Sequence, residues 1–177
     1  MDSNGLSCGL ALYWREECVV DVLDKDDRFI DIVIKAREGA SEWRATFVYG
    51  EPRVENRHLM WTKLRNLKVA NNLPWLVIGD FHEAMWDFKH LSITPRAEAQ
   101  MIAFRDTLEV CDLVELGFTG LPFTYDNRRA RSANIKVRLD RAVATNDWRN
   151  LFAFAAVEHI PSPCSEHLVV FLKGGLD

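Results

Sequence analysis

The sequence predicts a single α/β domain, with sheets at its centre and helices packed outside them. Three observations carry this. The first third alternates apolar and polar residues with a period of two. Two later stretches repeat apolar residues at helical spacing. Between them, an unbroken apolar run from Trp75 to Ile78 follows Pro74 and stops at Gly79, as a fully buried strand would.

Residues 8–14 (CGLALYW) and 18–23 (CVVDVL) predict strands separated by the charged turn Arg15-Glu16-Glu17. Residues 28–35 alternate, with Ile30, Ile32 and Ile34 on one face, and residues 43–50 place Trp43, Ala45 and Phe47 together. That period marks strands of a half-buried antiparallel sheet. A helix is expected over residues 53–70, with the stripe Met60, Leu64 and Leu67 and a break at Asn71-Asn72. The strand at 75–79 follows. Thr94 and Pro95 read as N-cap and first residue of a second helix. Its face is Ala97, Met101, Phe104, Leu108 and Cys111. A short strand is expected at 112–116, then a loop punctuated by Gly117, Gly120 and Pro122. Strands at 122–126 and 135–140 flank a basic segment. Thr145 caps a last helix carrying Trp148, Leu151, Phe152 and Ala155, and strands at 156–160 and 167–172 close the chain. No repeat, linker or low-complexity tract divides residues 1–177, so one domain is expected.

Composition narrows the function. With 48% hydrophobic and 27% charged residues, the chain is ordinary globular protein rather than disordered. A net charge of -4 excludes a surface that grips nucleic acid over its whole extent, so any such contact is local. Cys8, Cys18, Cys111 and Cys164 match no zinc spacing and read as reduced thiols buried in apolar runs. No apolar run approaches the roughly 20 residues that cross a bilayer, and the start MDSNG lacks a secretory or transit pattern. The expectation is a soluble protein of the cytoplasm or nucleus. The six tryptophans, Trp14, Trp43, Trp61, Trp75, Trp86 and Trp148, read as packing residues.

Asp80, His82 and Glu83 crowd the exit of the buried strand. A solvated turn needs no such chemistry, whereas a catalytic site at a strand's carboxyl end does. Five segments then occur in a fixed order: FVYGEP (47–52), PWLVIGDFHE (74–83), FTYDNRR (123–129), VRLDRA (137–142) and SEH (165–167). Together they resemble the endonuclease/exonuclease/phosphatase superfamily. More narrowly they resemble the endonuclease domain of plant LINE-type retrotransposons, over about Gly5 to Phe171.

The resemblance implies a DNase-I-like, four-layered α/β sandwich that hydrolyses phosphodiesters with a divalent metal at one open edge of its sheets. By this resemblance Tyr49 contacts the scissile phosphate and Asp80 orients or activates the attacking water. Asp140 orients His167, which stabilises or protonates groups at phosphorus. His82 stands where the family has asparagine. Glu166 stands where it has aspartate and is the candidate metal ligand. Asn127, Arg128 and Arg129 lie on the substrate side. Arg128, Arg129, Arg131, Lys136 and Arg138 read either as a track for a phosphate backbone or as a solvated hairpin.

The family begins with two further strands, which carry an asparagine and a metal-binding glutamate; residues 1–7 are too short to supply them. An incomplete sandwich is therefore expected, with a bare sheet edge that recruits a protein partner or a second copy. The departures at positions 82 and 166 point the same way. The expectation is a domain that has lost catalysis, needs no cofactor and serves as a protein-interaction module. The alternatives are a weak Mg²⁺- or Mn²⁺-dependent nuclease acting on DNA or RNA, and a stable relic without a role.

Overall fold

The computed structural model describes residues 10–35, 41–87 and 96–174, and the backbone of residues 90–91. Its strands are β1 (Val19–Lys25), β2 (Phe29–Lys35), β3 (Trp43–Tyr49), β4 (Trp75–Asp80), β5 (His90–Leu91), β6 (Val114–Glu115), β7 (Phe118–Gly120), β8 (Tyr125–Asp126), β9 (Lys136–Val137), β10 (Asp140–Ala144), β11 (Ala156–Ile160) and β12 (Val169–Lys173). The helices are α1 (Arg57–Ala70), α2 (Glu98–Val110) and α3 (Asn146–Leu151).

Six strands form the main sheet in the order β1-β2-β3-β4-β10-β6. Neighbours are antiparallel except β3 and β4, which run parallel because α1 carries the chain back between them. A second sheet, β12-β11-β7, packs on one side of it, and a small sheet, β5-β9-β8, lies at the edge.

Helices cover the other face. The stripe Met60, Leu64 and Leu67 is buried as expected, joined by Trp61. From α2 come Met101, Phe104 and Leu108. Most of these meet Phe29, Val48, Trp75 and Val77 in one core, where Trp61 stacks on Phe104 at 4.8 Å. Between the sheets, Leu76, Ala142, Ala144, Trp148 and Val157 form another, with Trp43 and Phe152 edge-on at 5.2 Å. The central strands are thus covered on both faces, not half-buried. A two-sided strand still alternates, but both sets are inside.

Of the two faces of β2, Phe29, Asp31 and Val33 are fully buried, while of the expected set Ile30, Ile32 and Ile34 only Ile32 is. Asp31 tolerates this because its charge is neutralised and bonded. Arg44 Nε and Nη2 donate to its two oxygens at 2.9 and 2.7 Å, and Thr46 Oγ1 donates at 2.6 Å. Arg44 Nη1 then reaches the Leu67 carbonyl at the end of α1, which ties helix to sheet.

Several expectations are corrected. Residues 10–14 of the first expected strand are irregular, and Tyr13 and Trp14 are exposed. The helix expected over 53–70 opens with a 3₁₀ turn at Val54–Asn56 before α1. The Thr94-Pro95 start, Cys8 and the argument from residues 1–7 lie outside the described residues. Ala97 is exposed at the N-cap of α2 rather than on its buried face. The loop at Gly117–Pro122 contains β7, which pairs in parallel with β11. The strand expected at 135–140 is two strands, β9 and β10. Cys18 and Cys164 are exposed; only Cys111 is a buried thiol among the described residues. Trp86 is also largely exposed, under the Arg105 guanidinium at 4.2 Å.

The close approach of β4 to β3 requires a glycine at 79. Gly79 has φ +139, and a Cβ there would lie 2.1 Å from the Val48 carbonyl oxygen. Gly79→Ala must move backbone rather than a flexible side chain. It is expected to destabilise the domain by on the order of 3 kcal/mol or more in urea denaturation.

Candidate active site

The site is set by the register of β4 between its two neighbours. Tyr49 on β3 pairs with Asp80 in parallel register, and Asp140 on β10 pairs with Asp80 in antiparallel register. Three side chains distant in sequence therefore meet where β4 ends. Both aspartates are 8% exposed.

A second set of contacts delivers His167. Thr124 Oγ1 accepts from the Leu139 and Asp140 amides at 3.0 and 2.9 Å, fixing the start of β10. The Thr124 carbonyl accepts from the Leu168 amide at 2.7 Å, and the Asp126 amide donates to the Glu166 carbonyl at 3.0 Å. Tyr125 and His167 thus form a bridge, with their rings 5.0 Å apart. His167 Nδ1 lies 2.9 Å from Asp140 Oδ2, a hydrogen bond that raises the histidine's pKa above its ordinary value.

Asp80 is pushed up to about 6, first by burial and then by the Asp140 charge facing it. His82 follows on a backbone with φ +54, its amide donating to Asp80 Oδ1 at 2.7 Å. Its Nε2 lies 3.3 Å from Asp80 Oδ2, yet is buried without a hydrogen bond. Its ring meets Tyr49 edge-on at 5.2 Å. Burial, then the Arg57 charge, lowers its pKa to about 4, so the ring is neutral at physiological pH. Arg28 stands 5.7 Å from the centre of the Tyr49 ring and pairs with Glu51 at 3.0 Å.

Glu83 lies below this cluster. It is 1% exposed and pairs with Arg57 and Arg96, each at 2.6 Å. Arg96 also donates to the His82 carbonyl, and Arg141 donates to the Glu83 carbonyl at 2.8 Å. Glu83 anchors the loop that presents His82. The sequence shows its carboxylate but not the three arginines, which are brought in from separate elements.

The structure brings Tyr49, Asp80, His82, Asp140 and His167 together. Among the described residues, one potential ligand atom from each of Asp80, Asp140 and His167 lies within 4.8 Å of the others. Glu166 stands outside that group; it is exposed and hydrogen-bonds Tyr125, whose pKa is raised by burial and then by the Glu166 charge. Asn127 shapes its own loop, donating to the Ala133 carbonyl and accepting from the Ile135 amide. Arg128 Nη2 donates to the Ser165 carbonyl at 2.6 Å and the Ser162 carbonyl at 3.2 Å, bracing the turn before His167. Arg129 keeps an exposed side chain. Arg138 is not part of a basic track, because it is 3% exposed and paired with Glu115. Lys136 pairs with Asp126 at 3.1 Å.

An α/β sandwich whose sheet edge gathers two carboxylates, a carboxylate-held histidine and a tyrosine has the equipment of a hydrolase acting on phosphate esters. The chain belongs to the Endonuclease/Exonuclease/phosphatase family, whose model matches residues 2–162. No curated protein sequence matches it. Its fold is similar to the endonuclease domain of TRAS1, a telomere-specific non-LTR retrotransposon, with a TM-score of 0.68 at 18% identity. That match covers 92% of this chain and 71% of the other. The AP endonuclease LMAP from Leishmania major gives 0.60 at 17% identity, over 82% of this chain and 54% of that one. A mutant of beta toxin from Staphylococcus aureus, with bound magnesium ions, gives 0.50 at 12% identity over 82% and 54%.

Two titration results are expected. A carboxylate whose pKa is raised on folding costs stability above the folded pKa, and the cost fades as pH falls toward the unfolded value. Asp80→Asn is therefore expected to raise thermal stability at pH 7.5, by on the order of 1–3 kcal/mol, and to have little effect near pH 4. The ring signals of His167 are expected to titrate above the ordinary histidine range, and those of His82 near 4. In Asp140→Asn protein the His167 value falls back, as NMR titration would read.

Proposed function

We propose that this domain is a metal-assisted phosphodiesterase that cleaves nucleic acid. The observation that carries the reading is the meeting of Asp80, Asp140 and His167 within one ligand-sized cluster, with Tyr49 on the adjoining strand. The donor set fits a divalent cation. Asp80 and Asp140 are opposed carboxylates with little solvent between them, and their mutual repulsion is what a cation relieves. Asp80 and Asp140 would hold it, with the family's Mg²⁺ or Mn²⁺ as the first candidates. The ion neutralises charge on the phosphate oxygens when bound.

This chain's own residues supply the rest. Asp80, at the strand end beside Asp140 and His167, would orient the attacking water. His167, held by Asp140 and favouring its charged form, donates to an oxygen at phosphorus. Tyr49 offers its hydroxyl to the phosphate from β3. The acidic chain makes the nucleic-acid contact local to this edge.

A second reading, a non-catalytic module that binds a protein partner or a second copy, draws on β1. It is an edge strand of the main sheet with Val19, Val22 and Leu23 exposed. The two readings separate in a plasmid-nicking assay with Mg²⁺ and then Mn²⁺. The nuclease reading expects nicking that falls by at least about 100-fold in Asp80→Ala and in His167→Ala. Nicking no greater than in these variants, with β1-dependent self-association in light scattering, would establish the second reading instead.

A further inference from the structure

Position 82 breaks the family pattern in a way that leaves a mark on the structure. The His82 ring is wedged edge-on to Tyr49, and its Nε2 is buried without a hydrogen bond. A buried polar atom with no partner costs on the order of 1–3 kcal/mol, so a nitrogen left in that state calls for a ligand. It is aimed at a carboxylate: Nε2 stands 3.3 Å from Asp80 Oδ2. Two donors bound at about 2.0–2.2 Å to one metal ion are about 3–3.5 Å apart, which is the separation found here. The backbone is set for it, because the Asp80 side chain itself accepts the His82 amide and holds the φ +54 conformation. Below, Arg96 holds the His82 carbonyl and Arg57 and Arg96 hold Glu83, so the loop is braced from beneath.

We infer that His82 Nε2 and Asp80 Oδ2 form a two-donor clip that converts this edge into a site for an imidazole-seeking transition metal in preference to Mg²⁺. Asp140 stands in the adjoining group with Asp80 and His167, and water completes the shell. Mg²⁺ favours an all-oxygen shell and several of its own waters, whereas imidazole suits zinc, cobalt and their neighbours. The inference rests on the site being a metal centre, but not on its turning over nucleic acid.

The test is direct binding of Co²⁺ and of Mg²⁺ to the purified domain, by visible absorption and calorimetry. Wild-type protein is expected to bind one Co²⁺ at the site at least about 10-fold more tightly than Mg²⁺. His82→Asn is expected to lose at least about 10-fold in Co²⁺ affinity, since even an outer-sphere partner is worth about that much. Its Mg²⁺ affinity is expected to change little. Asparagine accepts a positive φ, so this variant keeps the turn, and its melting curve verifies that it folds. In wild-type protein, Co²⁺ is expected to perturb the ring resonances of His82 and His167 before those of His58, which is exposed. Equal Co²⁺ affinity in wild type and His82→Asn, or Mg²⁺ binding as tight as Co²⁺, would overturn the inference. Nicking is scored separately. Mg²⁺-dependent nicking without a Co²⁺ preference refutes this inference and keeps the nuclease, while His82-dependent Co²⁺ binding without nicking does the reverse.

Discussion

The registration of one strand determines most of what this domain can do. β4 is paired in parallel with β3 and antiparallel with β10, and its last residue faces Tyr49 on one side and Asp140 on the other. Because side chains alternate along a strand, a slip of one residue in either ladder would turn a site group to the opposite face. Gly79 allows the close approach to β3, and the apolar run before it locks the register by filling both cores. The geometry of the candidate site is thus a by-product of the same packing that makes β4 the centre of the sheet.

How much of this could be read in the chain follows from the range of the interactions. The helical stripe of α1 and the apolar run of β4 depend on local spacing, and both are plain in the sequence. The family resemblance picked out Tyr49, Asp80, His82, Asp140 and His167, which the fold brings together, because each sits in a short motif. Long-range charge was not legible. Asp31 falls on the more buried face of β2 because Arg44 and Thr46 reach it from β3. Arg138 turns inward to Glu115, and Arg128 is spent on carbonyls. A run of basic residues states how much charge is present, but not which guanidinium has already found its partner.

Charge burial in the domain is of two kinds. Glu83 is fully buried and surrounded by cationic partners from α1 and the segment before α2. Asp80 is nearly as buried, but burial, and then the facing Asp140 charge, raises its pKa. The first arrangement fixes a loop. The second leaves free energy unrelieved in the resting protein, and such mismatch is characteristic of positions kept for function rather than stability. The two lie three residues apart, so the ion pairs of Glu83 brace the loop that follows a carboxylate whose environment disfavours its charge.

The same logic decides how to read the departure at position 82. Were the site a relic free to drift, a histidine there would gain most by turning to solvent or by donating to the nearest carbonyl. Instead it is neutral, half-buried edge-on to Tyr49, and directed at Asp80 with its Nε2 unsatisfied. Burial, and then the Arg57 charge, opposes protonation of the ring, which keeps a lone pair available rather than a charge. A neutral imidazole beside an ionisable carboxylate is a ligand pair in waiting, whereas a protonated one would simply have closed an ion pair and neutralised the site. The surrounding charges thus keep the His82 ring neutral at the edge where Asp80 and Asp140 meet.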